Sequence, residues 1–127
     1  MDLVKGEICM VLNSGKKSNF NTRIKITFDG SVFGSGVAQI MELVQSKGSL
    51  SQAYKTMNLS SSKGWRIIKK AEGELGFALF ETTVGGKGGG GSGLTKKGED
   101  LLNRYKAFVH ELNTEAERLY NKHFYNF

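Results

Sequence analysis

With 127 residues, 39% of them hydrophobic, the chain has the size of one domain with a modest core. Its 18 Lys and Arg against 12 Asp and Glu leave a formal charge of +6, which favours an anionic partner: nucleic acid, an acidic protein or a membrane surface. The single cysteine, Cys9, excludes an intrachain disulfide and a cysteine cluster for zinc, and no apolar run approaches the roughly 20 residues of a membrane span.

The first residues read MDLVKGEICMVLNSGKK, without a basic leading region or a small-residue cleavage site. They are not a signal peptide by that pattern, and a reducing cytoplasm is the expected setting. Val4 to Leu12 alternates enough for a strand, and Asn13 to Asn21 is a polar turn region. From Arg23 to Phe28, charged or polar residues alternate with Ile24, Ile26 and Phe28, which predicts a half-buried strand with those three inward. Asp29-Gly30 then marks a turn. Gly36 to Lys47 places Val37, Ile40, Met41 and Val44 at helical spacing, and Gly48 is the stop.

Ser49 to Lys70 carries the chain's main signal. Ser49 caps a short helix, Leu50 to Met57, with Gln52 three residues on as in a capping box and Ala53, Tyr54 and Met57 on one face. Asn58-Leu59 is a tight turn. Ser60 opens a second helix, expected to run to about Leu75 with Gly64, Ile67, Ile68, Ala71 and Leu75 inward. Gly73 inside it costs about 1 kcal/mol relative to Ala, and Gly76 ends it. Lys63, Arg66 and Lys70 fall close together on the other face at about 100° per residue. A short helix, a tight turn and a helix buried on one side and basic on the other make a helix-turn-helix pattern, whose second helix enters the major groove of DNA. A merely solvated basic face is the competing reading of the same residues.

The segment from Leu79 to Val84 is rich in aromatic and β-branched types and predicts a strand. The glycine run from Gly85 to Gly93, with Lys87 in it, cannot prefer regular structure. Leu94-Thr95 closes a hairpin, so the pattern is a helix pair followed by a wing. The run matches G-x-G-x-x-G only because almost every position is glycine. A dinucleotide site would need a helix starting on the loop within a βαβ unit, and no G-K-[ST] follows for a P-loop. GGGGS also occurs in engineered linkers, but the flanking strands argue against that.

Thr95 caps a long helix. Leu102, Tyr105, Val109, Leu112, Ala116, Leu119 and His123 alternate spacings of three and four, an a/d seam sustained for about three heptads. Two readings remain: a dimer through this helix, or a helix packed on its own domain. His110 and His123 lie in this segment far from Cys9, so no metal site is expected.

The span from about Arg23 to Phe124 resembles the N-terminal DNA-binding domain of ModE-type molybdate-responsive regulators, a relative of the LysR-type winged helix. The carrying motifs are Gly48-Ser49-Leu50-Ser51-Gln52-Ala53, the run from Ser60 to Trp65, and above all Thr83 to Thr95. In that family a T-G-G-K-G-G-G-G-x-x-L-T wing follows a [LF]-x-E strand, and Leu79-Phe80-Glu81 stands in the matching place. Ser61 and Ser62 depart from the Tyr and Lys usual at the head of the recognition helix, and Gly64 replaces a small alanine before Trp65. Two serines can bond to phosphates or bases, with less charge and stacking area. Full-length members continue into a molybdate-binding domain of the Mop or TOBE type. This chain ends at Phe127, so the resemblance implies the DNA-binding part without that domain.

The expectation is therefore an α+β winged helix-turn-helix with a long C-terminal dimerisation helix, divided into a DNA-binding domain over 1–95 and a dimerisation helix over 96–127, with 1–21 as an unplaced extension. Ser60, Ser61, Ser62, Lys63 and Arg66 would face the groove. Lys70 and Lys55 would meet phosphate, and Lys87 with the backbone of Gly86 and Gly88 would reach the flanking backbone or minor groove. Trp65 would pack on the neighbouring helix. Leu102, Tyr105, Val109, Leu112, Ala116 and Leu119 would join two copies. The expected partner is double-stranded DNA, bound by a homodimer, with no cofactor, no catalytic site and no membrane. The alternatives are a winged-helix module for an acidic protein partner and an oxyanion binder using the glycine loop.

Overall fold

In the computed structural model, which describes residues 20–28, 30–83 and 91–127, the elements follow in order. They are β1 (Ile26–Phe28), β2 (Ser31–Phe33), α1 (Ser35–Lys47), α2 (Leu50–Thr56), α3 (Ser61–Leu75), β3 (Phe80–Thr83), β4 (Gly91–Leu94) and α4 (Lys96–Phe124). The strand expected over Val4 to Leu12 and the residues Gly86, Lys87 and Gly88 lie outside the described residues.

Local chemistry sets most of the boundaries. Gly48 and Gly76 adopt φ values of 73° and 85°, the left-handed conformation that closes α1 and α3 at low steric cost to glycine. Ser49 Oγ accepts from the Gln52 N–H, Ser60 Oγ from the Lys63 N–H and Thr95 Oγ1 from the Gly98 N–H, so each of the three following helices starts on a side-chain cap. β1 and β2 form an antiparallel ribbon with Ile26 opposite Phe33, and β3 pairs with β4 antiparallel from Phe80–Leu94 to Thr83–Gly91.

The core is organised by α1, which is buried on two sides. Its Ala38 and Met41 share a cluster with Phe33, Leu79, Leu102, Tyr105 and Val109, while Ile40 and Val44 share another with Ala53, Tyr54 and Ile68. The first cluster joins α4 and β2 to the domain, and the second seats the α2–α3 pair. Three helices followed by a hairpin make a winged helix-turn-helix, here with a leading ribbon and a trailing helix of 29 residues, about 43 Å long.

Two expectations are corrected. The strand is confined to Ile26–Phe28, because Ile24 turns its carbonyl away from any sheet to accept from the Tyr105 hydroxyl at 2.8 Å. Phe28, expected inward, is 44% exposed. It stands at the turn end of the ribbon and lines an open apolar groove of about 270 Å³ between the ribbon and α4, with Phe33, Leu101 and Phe108.

Candidate nucleic-acid interface

The turn between α2 and α3 is held by backbone geometry. Asn58 has φ 58°, a left-handed conformation that Asn tolerates better than most residues, and the Leu59 N–H donates to the Tyr54 carbonyl at 2.8 Å. α3 then passes directly over Tyr54. A Cβ on Gly64 would sit 2.3 Å from the Tyr54 ring, so this approach requires glycine. Tyr54 is 5% exposed, and its hydroxyl has no partner among the described residues. Burial pushes its phenol above the ordinary value.

The outer side of α3 is polar and open. Ser61, Ser62, Lys63, Trp65, Arg66, Lys69 and Lys70 are all exposed, as are Ser60 and, on α2, Lys55. Ser60, expected to face the groove, uses its oxygen as the helix cap and keeps its hydroxyl proton for another acceptor. Lys70 pairs with Glu74 at 3.6 Å, and Lys69 with Glu72 at 3.2 Å. Among the described residues, Lys55, Lys63 and Arg66 have no ion pair, so their charge is directed at solvent. Lys69 belongs to this face as well. The stripe of Lys63, Arg66 and Lys70 lies to one side of this face, whereas Ser62, Arg66 and Lys69 run along its centre at i, i+4 and i+7.

Trp65 does not pack away as expected: it is 51% exposed, with the Lys69 ammonium 4.4 Å from its ring centroid. The reason is angular. Gly64, Ile68 and Ala71 define the buried line of α3, and Trp65 falls to the side of it.

The hairpin is fastened to the helices at four points. Glu72 Oε2 accepts from the backbone N–H groups of Leu79 at 2.7 Å and Phe80 at 3.2 Å. Thr95 donates its hydroxyl to the Ala78 carbonyl at 2.7 Å and its N–H to the Leu79 carbonyl at 2.9 Å. The Ser92 N–H donates to the Gly48 carbonyl at 2.9 Å, and a Cβ on Gly91 would meet that same oxygen at 2.5 Å. A Cβ on Gly98 would lie 2.5 Å from the Leu79 carbonyl oxygen, so α4 also starts in backbone contact with the hairpin. Glu72→Ala leaves two backbone donors without their charged acceptor and is expected to lower the unfolding free energy by about 1.5–3 kcal/mol. A denaturant midpoint equal to that of the parent protein would show that the carboxylate does not hold the hairpin.

The seam of α4 is divided. Leu102, Tyr105 and Val109 are 0%, 3% and 2% exposed and belong to the domain's own core, because α1, β2 and residues 20–24 cover that side. The leading segment runs antiparallel to α4: Phe20 stacks on Tyr120 at 5.5 Å, Thr22 bonds to Asn113 at 2.6 Å, and Ile24 accepts from Tyr105. Leu112 and Leu119 are 41% and 42% exposed, Ala116 is half-buried, and Phe108 at 48% extends this open strip. No helix among the described residues is long and apolar enough to cross a membrane. None of their His, Cys, Asp and Glu side chains gather in a group of three or more that could hold a metal ion.

No protein-family model matches the chain. It is 31% identical over 87 residues to a molybdenum transport protein ModE of Herbaspirillum seropedicae, a match covering 63% of this chain and 32% of that protein. It is 36% identical over 66 residues to a transcriptional regulator ModE of Yersinia pestis, covering 52% of this chain and 25% of the relative. A DNA-binding transcriptional dual regulator ModE of Escherichia coli K12 is 33% identical over 66 residues, with the same coverage. The chain thus spans a quarter to a third of the length of these relatives, and it resembles their N-terminal region.

Proposed function

We propose that this ModE-like chain is a DNA-binding transcriptional regulator that acts on double-stranded DNA as a homodimer. The observation that carries the reading is the outer face of α3, where Ser61, Ser62, Lys63 and Arg66 stand exposed on a helix fastened to a hairpin. α3 enters the major groove, where the two serines, Lys63 and Arg66 meet base edges. Ser60, Lys55 and Lys70 meet phosphate, and Lys87 with the N–H groups of Gly86 and Gly88 meets the flanking backbone or minor groove. The names of the relatives, which include a DNA-binding regulator, support the assignment. Two copies join through the open strip of α4 at Leu112, Ala116 and Leu119, and so bind half-sites one or more helical turns apart.

Titration of labelled random-sequence duplex at two salt concentrations tests the reading. Three lysine–phosphate contacts per copy give a dimer a log–log salt slope near −5, at about 0.9 per contact. Absence of binding in dilute buffer would overturn the assignment and return the basic face to an acidic protein partner. Leu112→Asp is expected to yield monomers by light scattering with the melting temperature of the monomeric unit preserved, since the side chain is 41% exposed. A persisting dimer would move the interface elsewhere.

A further inference from the structure

Trp65 is the single tryptophan of the chain, and it is half exposed on a face otherwise made of serine, lysine and arginine. Large aromatic side chains gain most from burial, so an indole left open on a protruding helix needs an account. Its orientation is also restrained. The Lys69 ammonium lies 4.4 Å from the ring centroid and 3.2 Å from Glu72 Oε1, while Glu72 Oε2 accepts from Leu79 and Phe80 at the root of the hairpin. Backbone, carboxylate, ammonium and ring thus form one chain of contacts. The ring is set in place before any partner arrives.

We propose that Trp65, held by Lys69, is a base-contacting residue of α3 that selects thymine through its C5-methyl group. The inference rests on the DNA-binding reading above and extends it to a residue that reading does not use. Three observations point to it. Ser61 and Ser62 are short, which lets the head of α3 sit close to the floor of the groove, and Trp65 stands one turn further on the same exposed side. The cation on one ring face leaves the edge and the opposite face as the contact surface. The thymine methyl is the one apolar feature the major groove presents, and it suits an apolar surface among polar neighbours. The charge of the neighbouring Arg66, which has no ion pair among the described residues, suits a polyanion and disfavours a hydrophobic protein partner.

The test uses the full chain and duplexes it selects from a random library, each made once with thymidine and once with deoxyuridine, which lacks only the methyl group. Affinity is read by anisotropy of end-labelled DNA, and the indole by its own emission, which is unambiguous with one tryptophan. The wild-type chain is expected to bind the uracil duplexes about fourfold more weakly per contacted methyl, the worth of one buried methyl group. Trp65→Ala is expected to bind both forms equally, and the wild-type indole to be quenched and shielded from acrylamide on saturation with the thymine duplex. Equal wild-type affinity for the two forms, or an indole unchanged in a saturated complex, would overturn the proposal while leaving DNA binding intact; neither result depends on the variant folding. Failure to bind any duplex would overturn the DNA-binding reading itself, and this inference with it.

Discussion

Leu102→Ala is expected to lower the unfolding free energy by about 2–5 kcal/mol, and the melting temperature by roughly 8–20 °C for a domain of this size, at every protein concentration. Leu102 is fully buried in the cluster that includes Phe33, Met41 and Leu79, so truncation empties a site walled by α1, β2 and Leu79, the residue before β3. A seam residue between two copies would behave differently. Its loss would act through mass action, and the melting temperature would depend on concentration. Circular dichroism melts of parent and variant at two concentrations a hundredfold apart separate the cases. A deficit that shrinks as protein is concentrated would place Leu102 between copies after all. The contrast with Leu112→Asp divides α4 into a half that builds the domain and a half that faces outward.

The double variant Lys63→Ala, Arg66→Ala is expected to weaken binding of a selected duplex by at least about 2 kcal/mol, since each side chain that contacts a base is worth about 1–3 kcal/mol. These are the two α3 cations with no ion pair among the described residues, so no carboxylate has to be released before they bind. They lie three residues apart on one face, and the single variants are expected not to add cleanly. Comparison of selected and random duplexes assigns the role. Loss confined to the selected duplex marks base contact, whereas equal loss on both marks phosphate contact. Wild-type affinity for both duplexes would remove the two residues from the interface.

The order of elements was legible because their ends are decided within a few residues. Gly48, Ser49, Ser60, Gly76 and Thr95 each act on backbone groups one turn away or less, and each stands where its residue type predicts. The α3 inner face was legible for the same reason: helical period places Gly64, Ile68 and Ala71 together whatever surrounds them. What covers an apolar face was not legible. Leu102, Tyr105 and Val109 have the spacing of a coiled coil, but spacing states only that one side of a helix leaves water, and α1, β2 and residues 20–24 supply the cover. Phe28 failed by the same logic at the end of a three-residue strand. Glu72 carried no pattern at all, since its partners are backbone N–H groups seven and eight residues away, across a bend.

The contact of Ser92 and Gly91 with the Gly48 carbonyl, and that of Gly98 with Leu79, fix the described base of the hairpin against the C-terminal end of α1 and the start of α4. In the proposed complex, a hairpin base held in this way keeps its position relative to α3, so a mismatch in curvature at that point would fall on the nucleic acid. Sites with easily kinked pyrimidine–purine steps between the contacted positions would then be favoured over stiff A-tracts, at base pairs no side chain touches.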